Sequence, residues 1–162
     1  MCDLLHNLVY ERIDEISVLS NFYCGIEKMD NFIHNNLEKR LSENDGLEFF
    51  LVKMDDSIVA LVALKKSYIE LRIKETVCVD SLEIEYLAVK KECQKKHIGT
   101  QILSWVQDRV DIFFKESHLL SVRAYRDIDA GYTAVPFYKS CGFKVVKEPH
   151  PLADNVIMAK RI

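Results

Sequence analysis

Glycine and proline are scarce, five and three in 162 residues. That scarcity excludes a linker-rich or low-complexity chain and implies economical loops. There is no C-x-x-C pair. The cysteines (Cys2, Cys24, Cys78, Cys93, Cys141) are odd in number and scattered. That pattern excludes both a zinc ribbon and a disulfide framework, and reduced thiols in a cytoplasmic protein are the expectation. No apolar run nears the ~18–20 residues of a membrane helix. No basic stretch leads into an apolar core at the start, so neither a membrane partner nor a signal peptide is expected. Positive charge is not in excess either: 22 Lys and Arg stand against 25 Asp and Glu, a net charge of −3. This argues against a dedicated duplex-DNA binder. What remains, 49% hydrophobic and 29% charged, is the composition of a soluble globular chain. Its length suits one domain over residues 1–162 with a core of its own.

Periodicity sketches the elements. Residues 7–13 read as a first strand. Ile26, Met29, Phe32, Ile33, Leu37 and Leu41 recur at helical spacing and predict one amphipathic helix, closed by the turn signal Asn44-Asp45-Gly46. Residues 47–54 and 58–64 form a hairpin about Asp55-Asp56-Ser57. Residues 68–81 extend the second strand and then loop. Residues 82–89 alternate, with Leu82, Ile84, Tyr86 and Ala88 on one face and Glu83, Glu85, Leu87 and Val89 on the other. Ile98, Ile102, Leu103, Val106, Val110 and Phe113 make a second helical stripe. Residues 119–125, 143–147 and 155–160 are further strands. A short helix spans 133–141, with Thr133 as N-cap, Pro136 in the first turn and Gly142 at the stop. The pattern is a mixed α/β domain with helices on each side of a central sheet.

The richest stretch joins strand to helix. An apolar run ending Leu87-Ala88-Val89 breaks into the lysine-rich loop Lys90-Lys91-Glu92-Cys93-Gln94-Lys95-Lys96-His97, and Ile98-Gly99-Thr100 opens the next helix. The first-turn N–H groups of a helix have no partners within it, and the macrodipole adds positive potential. A pyrophosphate fits there without any special side chain.

These motifs together resemble the GNAT superfamily of acyl-CoA-dependent N-acetyltransferases. The family's pyrophosphate loop, Gln/Arg-x-x-Gly-x-Gly/Ala after a strand ending like Leu-Ala-Val, is matched by Gln94 to Gly99. Its Ala-x-x-Phe-Tyr-x-x-x-Gly-Phe signature is matched by Ala134, Phe137, Tyr138, Gly142 and Phe143. The resemblance implies a mixed, mostly antiparallel sheet of six to seven strands flanked by helices on both faces. It implies acetyl-CoA as co-substrate, no metal, and direct transfer of an acetyl group to a primary amine. It places the pantetheine arm on the backbone of the Leu87, Ala88 and Val89 strand end. Peptide N–H groups of Gln94, Lys95, Lys96, His97, Ile98, Gly99 and Thr100 would hold the pyrophosphate, and Tyr138 would protonate the leaving thiolate. Two positions depart from the pattern. His97 stands where the first loop glycine is usual, so a left-handed backbone at some strain is expected there. Gly131 stands where an asparagine often precedes the second helix. Upstream, Phe22-x-Cys24-Gly25-x-x-x-Met29-Asp30-x-Phe32-Ile33 is similar to a signature of the toxin-type branch, which acetylates aminoacyl-tRNA.

Acetyl transfer needs a neutral amine and a proton for the departing thiolate. A phenol can give that proton. Periodicity alone puts Tyr138 on a core stripe with Ala134, Phe137 and Cys141; the matched motif gives it the acid's role. Glu83 and Glu85 are the candidate acceptors of the amine's proton, through water; the plain alternative is a solvated or amine-attracting rim. Cys24 has no histidine placed beside it and reads as a buried structural thiol. The acceptor is a small-molecule, peptide or aminoacyl-tRNA amine. An RNA acceptor calls for a basic face, for which Lys39, Arg40, Lys65, Lys66, Arg123 and Arg126 are the candidates. A homodimer and a ribbon-helix-helix antitoxin are the implied protein partners. The rival class is a non-catalytic acyl-CoA-binding sensor or interaction module, motivated by His97 and Gly131.

Overall fold

Asp55 and Asp56 both take left-handed backbone angles, φ 51° and 64°. Two successive positive φ values make the tight turn whose twist matches paired strands. They join β2 (Glu48–Met54) to β3 (Ser57–Arg72). In a computed structural model, which describes residues 5–13, 15–72 and 74–162, the expected hairpin is therefore present, and it runs further than its apolar pattern suggested. β3 continues through residues 68–72, and β4 (Thr76–Val89) begins well before Leu82. The segment expected to loop is mostly strand. Its side chains there are largely exposed, with Tyr68 61% and Val77 45% accessible, so no apolar stripe marked it.

The strand order is β1 (Val9–Arg12), β2, β3, β4, β5 (Leu119–Asp127), β8 (Asn155–Arg161), β7 (Lys144–Val145), with β6 (Tyr132–Thr133) beside β5. Among the described residues seven strands lie on this path, within the six to seven expected, and β6 is off it; β6 and β7 are two-residue strands, too short to show alternation. The first strand is shorter than residues 7–13, and 143–147 shrink to β7. All described pairings are antiparallel except β4 with β5, which is parallel over Leu82↔Leu120, Glu83↔Ser121 and Ile84↔Val122.

The chain divides into two compact units, Met1–Leu64 with Tyr86–Ile102, and Lys65–Glu85 with Leu103–Ile162. In the first, Phe49, Leu51, Leu61 and Ala63 share one face of the β2–β3 hairpin. They join Leu19, Phe22, Cys24, Ile33, Leu37 and Ala88 in one apolar cluster. The helix expected over residues 26–41 is two helices, α1 (Glu27–Asn35) and α2 (Leu37–Ser42). Asn36, at φ −122° and ψ −13°, breaks them. Two successive asparagines, Asn35 and Asn36, compete with helical hydrogen bonding through their side chains. The apolar stripe survives the break because Ile33 and Leu37 flank it, both buried.

In the second unit, β5 pairs with β8 from Leu119↔Arg161 to Tyr125↔Asn155. The buried hydroxyls of Ser81 and Ser121 satisfy each other at 2.9 Å. The stripe from Ile98 to Phe113 is again two helices, α3 (Ile98–Asp108) and α4 (Val110–Phe113). The short helix expected over 133–141 is α5 (Val135–Ser140). Thr133 ends up in β6, yet its hydroxyl still accepts the Val135 N–H at 3.2 Å. Past the helix end, Gly142 (φ 93°) donates to the Lys139 carbonyl and Phe143 to the Tyr138 carbonyl, at 3.1 and 3.0 Å. This paired closure requires a left-handed residue, which glycine supplies without strain. Among the described residues no helix is long and apolar enough to cross a membrane.

Candidate active site

The first unit carries the loop between β4 and α3. A 3-10 turn (Lys91–Cys93) leads to Gln94, whose own N–H points back to the Lys91 carbonyl at 3.4 Å. Lys95 (φ 61°) and His97 (φ 63°) are both left-handed, with Lys96 between them. The strain expected at His97 is therefore present, and Lys95 shares it. Left-handed residues within a turn swing neighbouring N–H groups toward one side, the arrangement from which anion-binding nests are built. The carbonyl of His97 accepts the Gln101 N–H at 3.1 Å, starting α3. The amides of Ile98, Gly99 and Thr100 then form the helix's open first turn. Lys95, Lys96, His97 and Thr100 are exposed, while the Ile98 side chain is buried, so Ile98 can offer only its backbone.

The side chain of Gln94, on which the sequence pattern was silent, ties two segments together. Its side-chain amide donates to the carbonyls of Cys24 (2.6 Å) and Val89 (3.0 Å). Leu87 and Val89 are half-buried at the end of β4, and Ala88 is in the apolar cluster. The parallel ladder of β4 stops at Ile84, so the strand runs on to Val89 beyond its last β5 pairing. A strand edge of this kind can hydrogen-bond an extended ligand.

The second unit carries the remaining candidates. Tyr138 sits on α5 and is 5% exposed, between the rings of Phe137 (5.0 Å between centroids) and Phe143 (5.5 Å), both edge-on. Burial raises its pKa well above the ordinary phenol value, and Tyr132 and Cys141 add to the shift. The phenol is thus neutral and a proton donor at any physiological pH. Gly131, at φ 69°, has open space where a side chain would project. An asparagine tolerates that backbone, so the usual residue would fit here.

Glu83 is 8% exposed and accepts a hydrogen bond from Arg123 Nε at 3.1 Å. The two meet because β4 and β5 are in parallel register, Glu83 opposite Ser121 and Arg123 two residues on. Both line a cleft of about 460 Å³ with Ser67, Tyr68, Ile69, Glu70, Arg72, Ser121, Val146, Lys147 and Ile157. Glu85 is half-buried and outside this lining. Of the six candidate basic residues, only Arg123 faces the cleft. Arg40 binds Glu43 and Asp45. Arg126 binds the carbonyls of His150, Pro151 and Ala153. Lys66 lies over the Phe114 ring. Arg72 and Lys147 were not singled out from sequence; no motif surrounds either, and only strand pairing brings them to one cleft. Cys24 is buried and its thiol is pushed up to about 12 by that burial, which fits the structural reading.

The loop of residues 94–100 and the end of β4 lie in the first unit, and the buried phenol of Tyr138 lies in the second. The model of the acetyltransferase (GNAT) domain matches residues 45–145, and the chain belongs to this family. It is accordingly an acyl-CoA-dependent N-acetyltransferase, and the non-catalytic reading is not favoured. Solved structures of similar fold include a bacterial toxin, with TM-score 0.76 and 16% identity over 97% of this chain and 92% of that one. Another is a tyrosine-to-phenylalanine variant of the toxin AtaT bound to the C-terminus of the antitoxin AtaR and acetyl-CoA (TM-score 0.69, 19% identity, 96% and 93% covered). A third is AtaT complexed with acetyl-methionyl-tRNAfMet (TM-score 0.68, 18% identity, 94% of each chain). No curated protein gives a significant match.

Proposed function

We propose that this protein transfers the acetyl group of acetyl-CoA to the α-amino group of an aminoacyl-tRNA. The observation that carries the acceptor class is the cleft of the second unit. It sets Arg72, Arg123 and Lys147 beside the exposed ring of Tyr68, with Glu83 and Glu70 in the same lining. Cations for phosphates and an aromatic face for a base are what a single-stranded RNA end requires. The carboxylates suit a cationic amine arriving with it. The toxin AtaT, of similar fold, has been solved with acetyl-methionyl-tRNAfMet, which supports this reading.

Acetyl-CoA supplies an activated carbonyl and a thiolate leaving group. The chain's own residues do the rest. The N–H groups of residues 95–100 hold the diphosphate, with Lys95 and Lys96 adding attraction. The backbone of Leu87 and Val89 lines up the pantetheine arm. Glu83, held by Arg123, takes the amine's proton through water. Tyr138, kept neutral by burial, gives a proton to the departing sulfur. The same reading makes a ribbon-helix-helix antitoxin the inhibitor, a second copy of the chain its partner and the cytoplasm its compartment.

The test is acetyl transfer from labelled acetyl-CoA to a panel of aminoacyl-tRNAs, free amino acids, peptides and polyamines. Label on the aminoacyl-tRNA fraction is the expected result, and label only on small amines would overturn the acceptor. Glu83→Gln lowers turnover by ~10²-fold. Glu85→Gln leaves it close to wild type; equal losses in the two variants would remove Glu83 from the proton's path.

A further inference from the structure

Resting on the diphosphate reading of residues 95–100, we propose that the loop of residues 22–25 and Asp30 form a brace for that cradle. Asp30 and Gln94 are then positioning residues for coenzyme A, although neither side chain touches it. The chain of contacts begins at Asp30, on α1. Its carboxylate accepts the N–H of Cys24 at 2.7 Å and of Gly25 at 3.1 Å. That pins the loop so that its carbonyls turn toward the cradle's root. The Tyr23 carbonyl accepts the Lys91 N–H at 2.9 Å, and the Cys24 carbonyl accepts the Gln94 amide at 2.6 Å. The second hydrogen of that amide reaches Val89, so one side chain staples the end of β4 to the signature loop. The next residue in the chain, Lys95, is the first left-handed one of the nest.

Gly25 completes the arrangement. It is left-handed (φ 89°), and a Cβ there would sit 3.3 Å from Lys91 Cδ. A second tie comes from upstream. His6 Nε2 donates to the Lys96 carbonyl at 2.7 Å, and Gln101 grips the backbone N–H and C=O of His6. Two left-handed non-glycine residues in one short loop persist only where surrounding structure over-determines them. Groups that aim a binding shell carry much of its affinity.

The experiment measures NMR-monitored dissociation constants for coenzyme A and for pantetheine, which lacks the diphosphate and nucleotide. Asp30→Asn keeps the size but withdraws one acceptor oxygen. Gln94→Glu is isosteric but removes both donors and faces a carboxylate to two carbonyls. Each variant weakens coenzyme A about tenfold or more and leaves pantetheine within about twofold of wild type. Gln94→Arg, which keeps donors, stays within about threefold for both ligands. An unchanged coenzyme A constant in both damaging variants overturns the brace, as does equal weakening of both ligands. Wild-type protein that binds coenzyme A no tighter than pantetheine instead overturns the diphosphate reading beneath it.

Discussion

Burial of two side chains decides how their chemistry responds to pH. Tyr138 is enclosed by Phe137 and Phe143, and its raised pKa keeps the phenol protonated where an exposed tyrosine would begin to ionise. Tyr138→Phe therefore retains the ring packing and coenzyme A affinity and loses ~10²-fold in turnover. Steady-state kinetics with calorimetry checks this, and unchanged turnover would take the phenol out of the mechanism. Cys24 answers a different question. Its thiol rises from 9.0 to about 12 on folding, so the unfolded chain loses its proton first. Between those values the folded state binds more protons than the unfolded one. The stability this gives is complete below pH 9 and declines as pH rises toward 12, by up to about 1.4 kcal/mol per pH unit. Urea melts at several alkaline pH values should show a shallower decline for Cys24→Ala than for wild type. Parallel slopes would mean that other groups control alkaline unfolding.

At the scale of elements, the cradle loop shows how a sequence departure is absorbed. His97 occupies a glycine's usual place and accepts a glycine's backbone angle, φ 63°. His97→Gly relieves the steric cost while adding freedom to the unfolded chain, a net gain of a few tenths to about 1 kcal/mol. Coenzyme A affinity should hold within about threefold. A loss of stability in denaturant titration would reveal a contact made by the imidazole. This strain was readable beforehand because a motif frame fixed which residue had to turn. Tyr138 and the loop of residues 94–100 could be picked out as candidates for the same reason: the motifs fix their order along the chain. The extension of β3 and β4 was not, because strands with exposed side chains at Tyr68 and Val77 leave no apolar alternation. The break at Asn36 was hidden by a stripe that continues across it. The Glu83–Arg123 pair lies 40 residues apart, and only the parallel register of β4 with β5 brings it together. Asp30 belonged to a recognisable signature, yet what it holds could be seen only once Cys24 and Gly25 were placed against it.

For the molecule as a whole, a net charge of −3 has to be reconciled with the polyanionic acceptor proposed above. Bulk charge steers from a distance, whereas counterion release counts the cations that actually meet phosphates. The cleft offers three: Arg72, Arg123 and Lys147. Arg123 is shared with Glu83, which leaves two to three effective contacts. For a single-stranded RNA end, that gives a slope of log K against log salt of about −1.4 to −2.1. A protein with a broad basic face would be far steeper. Arg72→Ala and Lys147→Ala should each flatten the slope by about 0.7, and the paired Arg123 should change it least. Filter-binding titrations of aminoacyl-tRNA across a salt series read these slopes directly. A steep slope that neither substitution alters would place the RNA on a different surface.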